Sequence, residues 1–436
     1  MTVSVHVQAD EILRPAEAWD NGAGPMWCYG SRTITRVGET VFLSFNQVDP
    51  DAQKLCNTAA ELLVRSGGVW KQVWTQGHGM EREPCPLVHV PGRIILTTNP
   101  GDKVWYEGGD GRHGFWCNPT LLVFDTVNPT RPPVEITPVW DDDYEFHEHS
   151  YRGVASDPES GNVFLSWQVR DGDTYSQAWV LFDREMNQLA NGLLRFPMRG
   201  CYPNIAVRGN EVHVMAISDE IEPNNEWLEY KREVTGKRWD YDFRQVFYTS
   251  SPDVTTTPFS QTLTVASADE TAGHITNCDI WLDGEGDAHL LYQERNSWHV
   301  FMRDRFFPDM PLHAALKTAH IHKGRVIGRK TLMEATETAV DGETVIFDRP
   351  DPQWGAFHGT PDGSVFVVHA QTGIDEGVFI RRYLPEVGDP VSIPLERYMP
   401  RFFTNSPRSG CALSNTLDLV GPAGDELRYA EVEIDA

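Results

Sequence analysis

The sequence has little of what builds helices or spans membranes. Apolar residues recur with a helical period in residues 51–64 (DAQKLCNTAAELLV), which we predict to be one short surface helix. No run approaches the ~20 apolar residues that a membrane-spanning helix needs. The first residues lack a charged region followed by an apolar stretch, so we expect no secretory signal and a cytoplasmic protein. A mature secreted form stays open as the alternative.

Cysteines and positive charges are also scarce. The seven cysteines form no close pairs, which indicates neither a disulfide framework nor a zinc site and favours a reducing compartment. Lys and Arg number 37 against 63 Asp and Glu, a formal net charge of -26. Nucleic acid and anionic membranes need basic surface and are not expected as partners. A polyanionic sugar would need a local basic cluster. Nothing in the sequence indicates an oligomeric state or a cofactor.

Several catalytic motifs are missing. The sequence has no G-x-S-x-G, no phosphate-binding glycine loop, no dinucleotide-binding fingerprint and no sialidase Asp-box. A glycosidase with paired carboxylates has no such signature and stays open. Its candidates near strand ends are Glu83, Glu145, Glu148, Glu220 and Asp279.

A repeated pattern is present instead. Seven times, about 50 to 75 residues apart, an apolar strand, a tight polar turn and a second apolar strand recur. The units begin at Ile34, Pro86, Gly153, Asn204, Asp279, Gly355 and, less cleanly, Thr416. One hairpin cannot bury its own face, but a ring of such sheets can. The pattern predicts an all-β fold, a seven-bladed β-propeller of four-stranded antiparallel blades.

Because each blade packs on its neighbours, we expect one propeller domain over residues 1–436. Strand-like sequences at both ends predict that the termini pair in the last blade and close the ring. Two long connections, residues 220–261 and 295–311, are predicted insertions that either rim the ligand-binding face or cover blade edges.

The entries of the innermost strands should converge on one mouth of the channel. Aligning the repeats places polar or aromatic groups there in six of seven units. The predicted substrate-binding residues are Arg82, His147, Arg152, His274, Asn277, His358 and Arg408. Packing alone would favour Val, Ile and Ala at these positions.

His149 and Tyr202 are the two catalytic candidates. The segment DDDYEFHEHSYRG, residues 141–153, carries His147 and His149, which would share one side of a strand. A metal is the weaker interpretation, since no third ligand stands at a known spacing. Tyr202 precedes a proline at a strand entry and could act as an acid or base. A solvated loop and a stacked wall tyrosine are the alternatives.

At HEHSYRGVASDPESGNVFLSW and GCYPNIAVRGNEVHVMA the chain resembles the BNR-repeat-type seven-bladed propellers of carbohydrate-active enzymes, which include ulvan and rhamnose–glucuronate lyases. The resemblance assigns the lyase histidine to His149 and the lyase tyrosine to Tyr202. The sequence departs from the lyases where Trp167 and Gln168 replace a second histidine and Ser218 replaces an arginine. A uronate lyase would therefore need that arginine from another blade, with Arg82, Arg152 and Arg408 as candidates.

The activity implied by the resemblance is β-elimination on a uronate-containing polysaccharide or oligosaccharide, by acid–base groups and a positive clamp without a cofactor. A glycoside hydrolase on the same scaffold and a non-catalytic glycan-binding propeller are the alternatives.

Overall fold

The computed structural model describes residues 3–108, 111–237 and 241–435. The chain is almost entirely β, and seven four- or five-stranded antiparallel sheets form the blades of a propeller, as the repeat predicts. The first strand, β1 (Ser4–Pro15), belongs to the last blade. None of the helices in the described ranges is long and apolar enough to cross a membrane.

The first four blades follow the chain from the axis outward. Blade 1 comprises β2 (Ile34–Val37), β3 (Thr40–Val48), β4 (Thr58–Ser66) and β5 (Val69–Thr75). Blade 2 comprises β6 (Leu87–Val90), β7 (Arg93–Thr98), β10 (Thr120–Asp125) and β11 (Val134–Ile136), with the hairpin β8 (Gly101–Glu107) and β9 (His113–Cys117) inserted. Blade 3 comprises β12 (Gly153–Ser156), β13 (Val163–Asp171), β14 (Thr174–Phe182) and β15 (Gln188–Leu194). Blade 4 comprises β16 (Gly200–Arg208), β17 (Glu211–Ser218), β20 (Gln245–Ser251) and β21 (Leu263–Ser267), with the small ribbon β18 (Glu220–Ile221) and β19 (Tyr241–Asp242).

The remaining blades complete the ring. Blade 5 has five strands, β22 (His274–Leu282), β23 (Ala288–Arg295), β24 (His313–His322), β25 (Arg325–Asp341) and β26 (Thr344–Phe347). Blade 6 comprises β27 (Asp351–Gly359), β28 (Val365–Thr372), β29 (Gly377–Leu384) and β30 (Val391–Ile393). Blade 7 comprises β31 (Phe403–Thr404), β32 (Thr416–Ala423), β33 (Glu426–Asp435) and β1, whose pairing with β33 confirms the predicted closure.

A glycine stands in the turn of every repeat. These glycines adopt positive φ between 58° and 88°, a conformation that side chains disfavour. They are Gly38, Gly92, Gly161, Gly209, Gly286, Gly363 and Gly424. The turn chemistry therefore defines each hairpin, while the alternating apolar residues pack between blades.

Besides the fifth strand of blade 5, two details differ from the sequence predictions. The predicted helix at residues 51–64 is wrong, because most of that segment's apolar part forms β4, which is buried between blades. The seventh repeat is shifted by one strand, because its hairpin is β32–β33 and the innermost strand is β31. Asn405 and Arg408 therefore follow the innermost strand of blade 7 rather than open it.

The two long connections contain the helices. Helix α1 (Asn225–Thr235) lies between β18 and β19, and the Asn224 side chain accepts from the amides of its first turn. Helix α2 (Val300–Phe306) lies between β23 and β24. A 3₁₀ turn, Asp269–Thr271, precedes β22.

A buried ion triad joins the blades at the axis. Asp279 lies 2.6 Å from Arg32 and 2.6 Å from Arg408, and all three side chains are almost fully buried. Burial opposes ionisation of Asp279, but the two guanidinium groups hold its pKa below the usual value. Burial lowers the pKa of Arg408 to about 10, so it stays charged at neutral pH.

Replacing Asp279 by Asn should destabilise the protein by ~3–5 kcal/mol, because two buried guanidinium groups lose their counter-charge. Chemical denaturation measures the free energy of unfolding. The control is Asp171→Asn, which removes the partner of Arg195, a side chain 65% exposed. That change should cost less than ~1 kcal/mol. Equal effects of the two substitutions would contradict the structural role of the triad.

Candidate functional site

A cavity of about 570 Å³ opens at one mouth of the channel. We call it the central cavity. Its size lies within the range of small-molecule sites, ~300–1,000 Å³. It is lined by Gly22, Trp27, Tyr29, Arg82, His149, Tyr151, Arg199, Tyr202, Tyr241, Phe243, His274, Thr276, Trp298 and Arg401. The lining comes from the entries of six blades and from both long connections, so these connections do rim this face.

Four of the nine predicted site residues line the central cavity: Arg82, His149, Tyr202 and His274. Their roles remain predictions, but the structure brings them together. Each lies just before or within the innermost strand of its blade, on the side of the strand entry. Repeat register therefore brought these four residues to the same mouth of the channel.

The other five lie outside the central cavity. Arg152 is fully buried and pairs with Glu81 at 3.0 Å. Successive side chains of this segment point to opposite sides, so Arg152, unlike His149, points between blades 2 and 3 and not into the cavity. His147 packs at 4.6 Å from the Trp116 ring on β9, so the two histidines do not share a strand face. Asn277 lies deeper in β22 and donates to the Tyr202 carbonyl at 2.6 Å.

His358 and Arg408 lie nearer the opposite end of the channel. His358 stands near the end of β27, where its Nε2 is 2.8 Å from the Ser414 carbonyl. Arg408 lines a different cavity of about 470 Å³ at the hairpin end. The position predicted for Arg408 is occupied by Arg401, which precedes β31 and lies beside Tyr29.

His149 is held by a buried carboxylate. Its Nδ1 lies 2.6 Å from Glu83 Oε1, and Ser150 donates to the other oxygen at 2.6 Å through its hydroxyl. Burial opposes ionisation of Glu83, but the hydrogen bond with His149 and its charge lower the pKa of Glu83 to about 2. Burial and the nearby Arg82 lower the pKa of His149 itself. The imidazole is therefore neutral at pH 7, with Nε2 as the nitrogen not engaged by Glu83.

Tyr202 lies at the centre of an aromatic group. Its ring stacks on Tyr29 with centroids 4.3 Å apart, and Tyr151 meets it edge-on at 4.6 Å. Its φ of 49° is unusual for a tyrosine and coincides with a register shift in β16. Burial raises the pKa of Tyr202 well above the usual value. The phenol is therefore protonated and suited to donate a proton.

Arg199 was missed by the sequence analysis, although it stands three residues before Tyr202. Its Nε donates to Gln168 at 3.0 Å and lies 3.3 Å from Asp219. The guanidinium also lies over the Tyr151 and Tyr175 rings. Burial acts against the charge, but Asp219 and Tyr151 raise the pKa of Arg199 above its usual value. Its position could have been recognised in the sequence, because an arginine at a strand entry lies three residues before the candidate tyrosine.

His274 differs from His149. Its ring stacks on Trp298 with centroids 4.0 Å apart. Burial is the main cause that lowers the pKa of His274 to about 3, and the positive charges of Arg295 and Arg401 lower it further. Trp298, from the connection before α2, is 46% exposed. The pair forms a neutral stacking surface at the edge of the central cavity.

The electrostatics of His149 can be tested by NMR titration of its imidazole. Arg82→Gln removes a positive charge that disfavours the imidazolium and should raise the pKa of His149. Glu83→Gln removes a negative charge that favours it and should lower the pKa further. Histidine ¹⁵N shifts measure both pKa and tautomer. A shift of the same sign in both variants would be inconsistent with this geometry.

The chain matches no model of a known protein family and no curated protein sequence. It does resemble solved structures. The polysaccharide lyase Uly1 superposes with a TM-score of 0.50 at 12% identity, over 98% of this chain and 99% of that one. A PL25 ulvan lyase bound to -[GlcA(1-4)Rha3S]- gives 0.51 at 10% identity, over 97% and 94%.

A GH93 α-L-arabinofuranosidase of Fusarium graminearum is more distant, with a TM-score of 0.38 at 11% identity over 79% of this chain and 92% of that one. At such identities the likeness concerns the fold, and a BNR-type repeat is not demonstrated by it. The fold of this chain is therefore similar to that of solved polysaccharide lyases.

Proposed function

We propose that the protein is a carbohydrate-active lyase that cleaves a uronate-containing glycan by β-elimination in the central cavity. One observation carries the proposal. The lining includes three guanidinium groups, Arg82, Arg199 and Arg401, and none of its described residues is Asp or Glu. In a protein of net charge -26, such a basic pocket suits an anionic substrate.

Arg199 is the proposed carboxylate clamp. Its Nε is engaged by Gln168 and Asp219, which leaves the two terminal nitrogens for a substrate carboxylate. The two residues that engage Arg199 lie at or beside the positions where this sequence departs from the lyase pattern. Gln168 stands near the expected second histidine, and Asp219 follows Ser218, where the lyases carry arginine. Arg199 would supply from the entry of blade 4 the positive charge that Ser218 lacks.

His149 is the proposed base. The hydrogen bond between Nδ1 and Glu83 fixes the ring, so that Nε2 can accept a proton. Glu83 is buried and charged, and would stabilise the imidazolium that forms during the reaction. Its position behind the histidine makes Glu83 a positioning residue.

The proposed reaction needs only these groups. Arg199 neutralises the uronate carboxylate, which acidifies the C5 proton. His149 Nε2 takes that proton, and the C5–H electron pair forms the C4=C5 double bond. The C4–O bond breaks, and the leaving oxygen keeps its electron pair and takes a proton from the Tyr202 hydroxyl. The products are an unsaturated uronate and a shortened glycan.

Three of the five carboxylates predicted for a glycosidase are engaged in other contacts or buried, and none of the five lines the central cavity. Asp279 is locked in the axial triad, and Glu148 accepts from the Phe115 amide and pairs with Arg82. Glu83 is fully buried behind His149. A hydrolase would therefore have to use a carboxylate outside the lining of the central cavity. Hydrolysis is kept as one outcome of the activity test.

A panel of defined uronate-containing and neutral glycans should separate the functions. The lyase is expected to generate ultraviolet absorbance together with new reducing ends. His149→Asn and Tyr202→Phe should each lower kcat ~10²–10⁴-fold. The control is His147→Asn, outside the cavity, with activity close to that of the wild type. Reducing ends without absorbance would indicate a hydrolase, and binding without either signal would indicate a non-catalytic propeller.

Arg199→Gln should abolish most turnover of uronate glycans, while Arg199→Lys should retain part of it, since lysine keeps the charge without the planar guanidinium. The matched control is Arg195→Gln, four residues earlier and largely exposed. Steady-state kinetics on a uronate glycan give kcat and KM for each. Unchanged kcat/KM in Arg199→Gln would rule out the clamp while leaving His149 and Tyr202 open to test.

A further inference from the structure

A second group of ionisable side chains lies on blade 5, apart from the lining of the central cavity. It comprises Asp283, Asp287, His289, His320 and His322, and we call it the blade 5 cluster. Asp283 and Asp287 lie in the β22–β23 turn. His289 on β23 pairs in register with His320 on β24, so their side chains are direct cross-strand neighbours.

Three members of the cluster converge. Asp283, His289 and His320 each offer one ligand atom, and these atoms all lie within 4.8 Å of one another. Asp283 Oδ2 is 3.2 Å from His289 Nε2. The histidine rings stack with centroids 4.3 Å apart. Tetrahedral zinc, with bonds of ~2.0–2.2 Å to N and O, needs ligands roughly 3.4 Å apart, so modest side-chain rotation suffices.

The surrounding contacts hold the ligands in place. The Glu285 and Asp287 amides donate to Asp283 Oδ1 at 2.9 and 3.0 Å, so the turn fixes this carboxylate and leaves Oδ2 directed at His289. The Tyr383 hydroxyl lies 2.9 Å from His289 Nδ1. Such a partner on the second nitrogen fixes the tautomer and orientation of a metal-binding histidine.

Asp287 adds a second carboxylate beside the three ligands. It lies 2.9 Å from His320 Nε2 and 2.7 Å from His322 Nδ1. A cavity of about 210 Å³ borders the cluster and is lined by Asp283, His289, His320 and Tyr383, together with Arg329, Lys330 and three uncharged residues. The cluster therefore combines ligand type, convergence and orienting contacts.

We propose that Asp283, His289 and His320 form a binding site for a divalent transition-metal ion of the zinc class, with Asp287 beside it. Imidazole and carboxylate together favour such an ion over calcium or magnesium, which prefer oxygen ligands. The ion would connect the β22–β23 turn to β23 and β24, and Tyr383 would link it to blade 6. Ligands distant in sequence escape a search for known spacings.

The test is titration of untagged, chelator-treated full-length protein with ZnCl₂ by calorimetry, together with thermal unfolding. We expect one equivalent to bind with micromolar or lower Kd and to raise the Tm, because the ion binds the folded state. His320→Gln and Asp283→Asn should each weaken binding at least ~10-fold. The control His78→Gln alters an exposed histidine elsewhere and should leave the Kd unchanged.

Folding of the variants is checked by circular dichroism without metal. His320 and Asp283 are chosen because both side chains are partly exposed, at 31% and 23%, whereas His289 is buried. Co²⁺ supplies a second readout, since coordination by these groups gives visible absorption that both variants should lose. Absence of binding to the wild type, or equal Kd values in wild type and both variants, would overturn the proposal.

Discussion

The ion triad of Arg32, Asp279 and Arg408 is the interaction on which the centre of the propeller depends. Besides pairing with Asp279, Arg408 donates to the carbonyls of Gly30 and Ile205 at 3.0 and 3.1 Å. The Phe357 amide donates to Asp279 at 2.8 Å. These contacts join blades 1, 4, 5, 6 and 7 at the axis. A buried carboxylate is tolerable only with such compensation, so the blades must meet here in one arrangement.

The triad also supports the floor of the central cavity. Gly30 lies against the backbone of Tyr202 and Pro203, where an added Cβ would come within 2.5 Å of both carbonyl oxygens. Just before it, Trp27 and Tyr29 present their rings to the cavity, and Tyr29 stacks on Tyr202. The close approach that glycine permits thus sets the aromatic floor. Above it, the three cationic side chains and His149 provide the charge and the base of the proposed reaction.

Much of the architecture could be predicted from sequence because its cause is local. Alternating apolar residues and a turn glycine specify each hairpin, and seven hairpins specify the ring. The same repeat register located His149, Tyr202, Arg82 and His274 at one mouth of the channel. It failed for Arg408 because the seventh repeat is shifted by one strand, which puts Arg401 at that mouth instead. The segment at residues 51–64 failed because burial between blades overrides a weak helical period.

The sequence by itself determined the strand pattern and the turns, since these depend on neighbouring residues. It also determined the number of blades and the acidic charge, since these follow from counting repeats and charged residues. Only the tertiary structure decided which polar groups meet. Glu83 lies behind His149, Gln168 and Asp219 hold Arg199, and His289 faces His320, because separate blades or neighbouring strands bring these residues together. Such encounters follow from packing, which no local pattern encodes, so the groups of both proposed sites come together only in the folded chain.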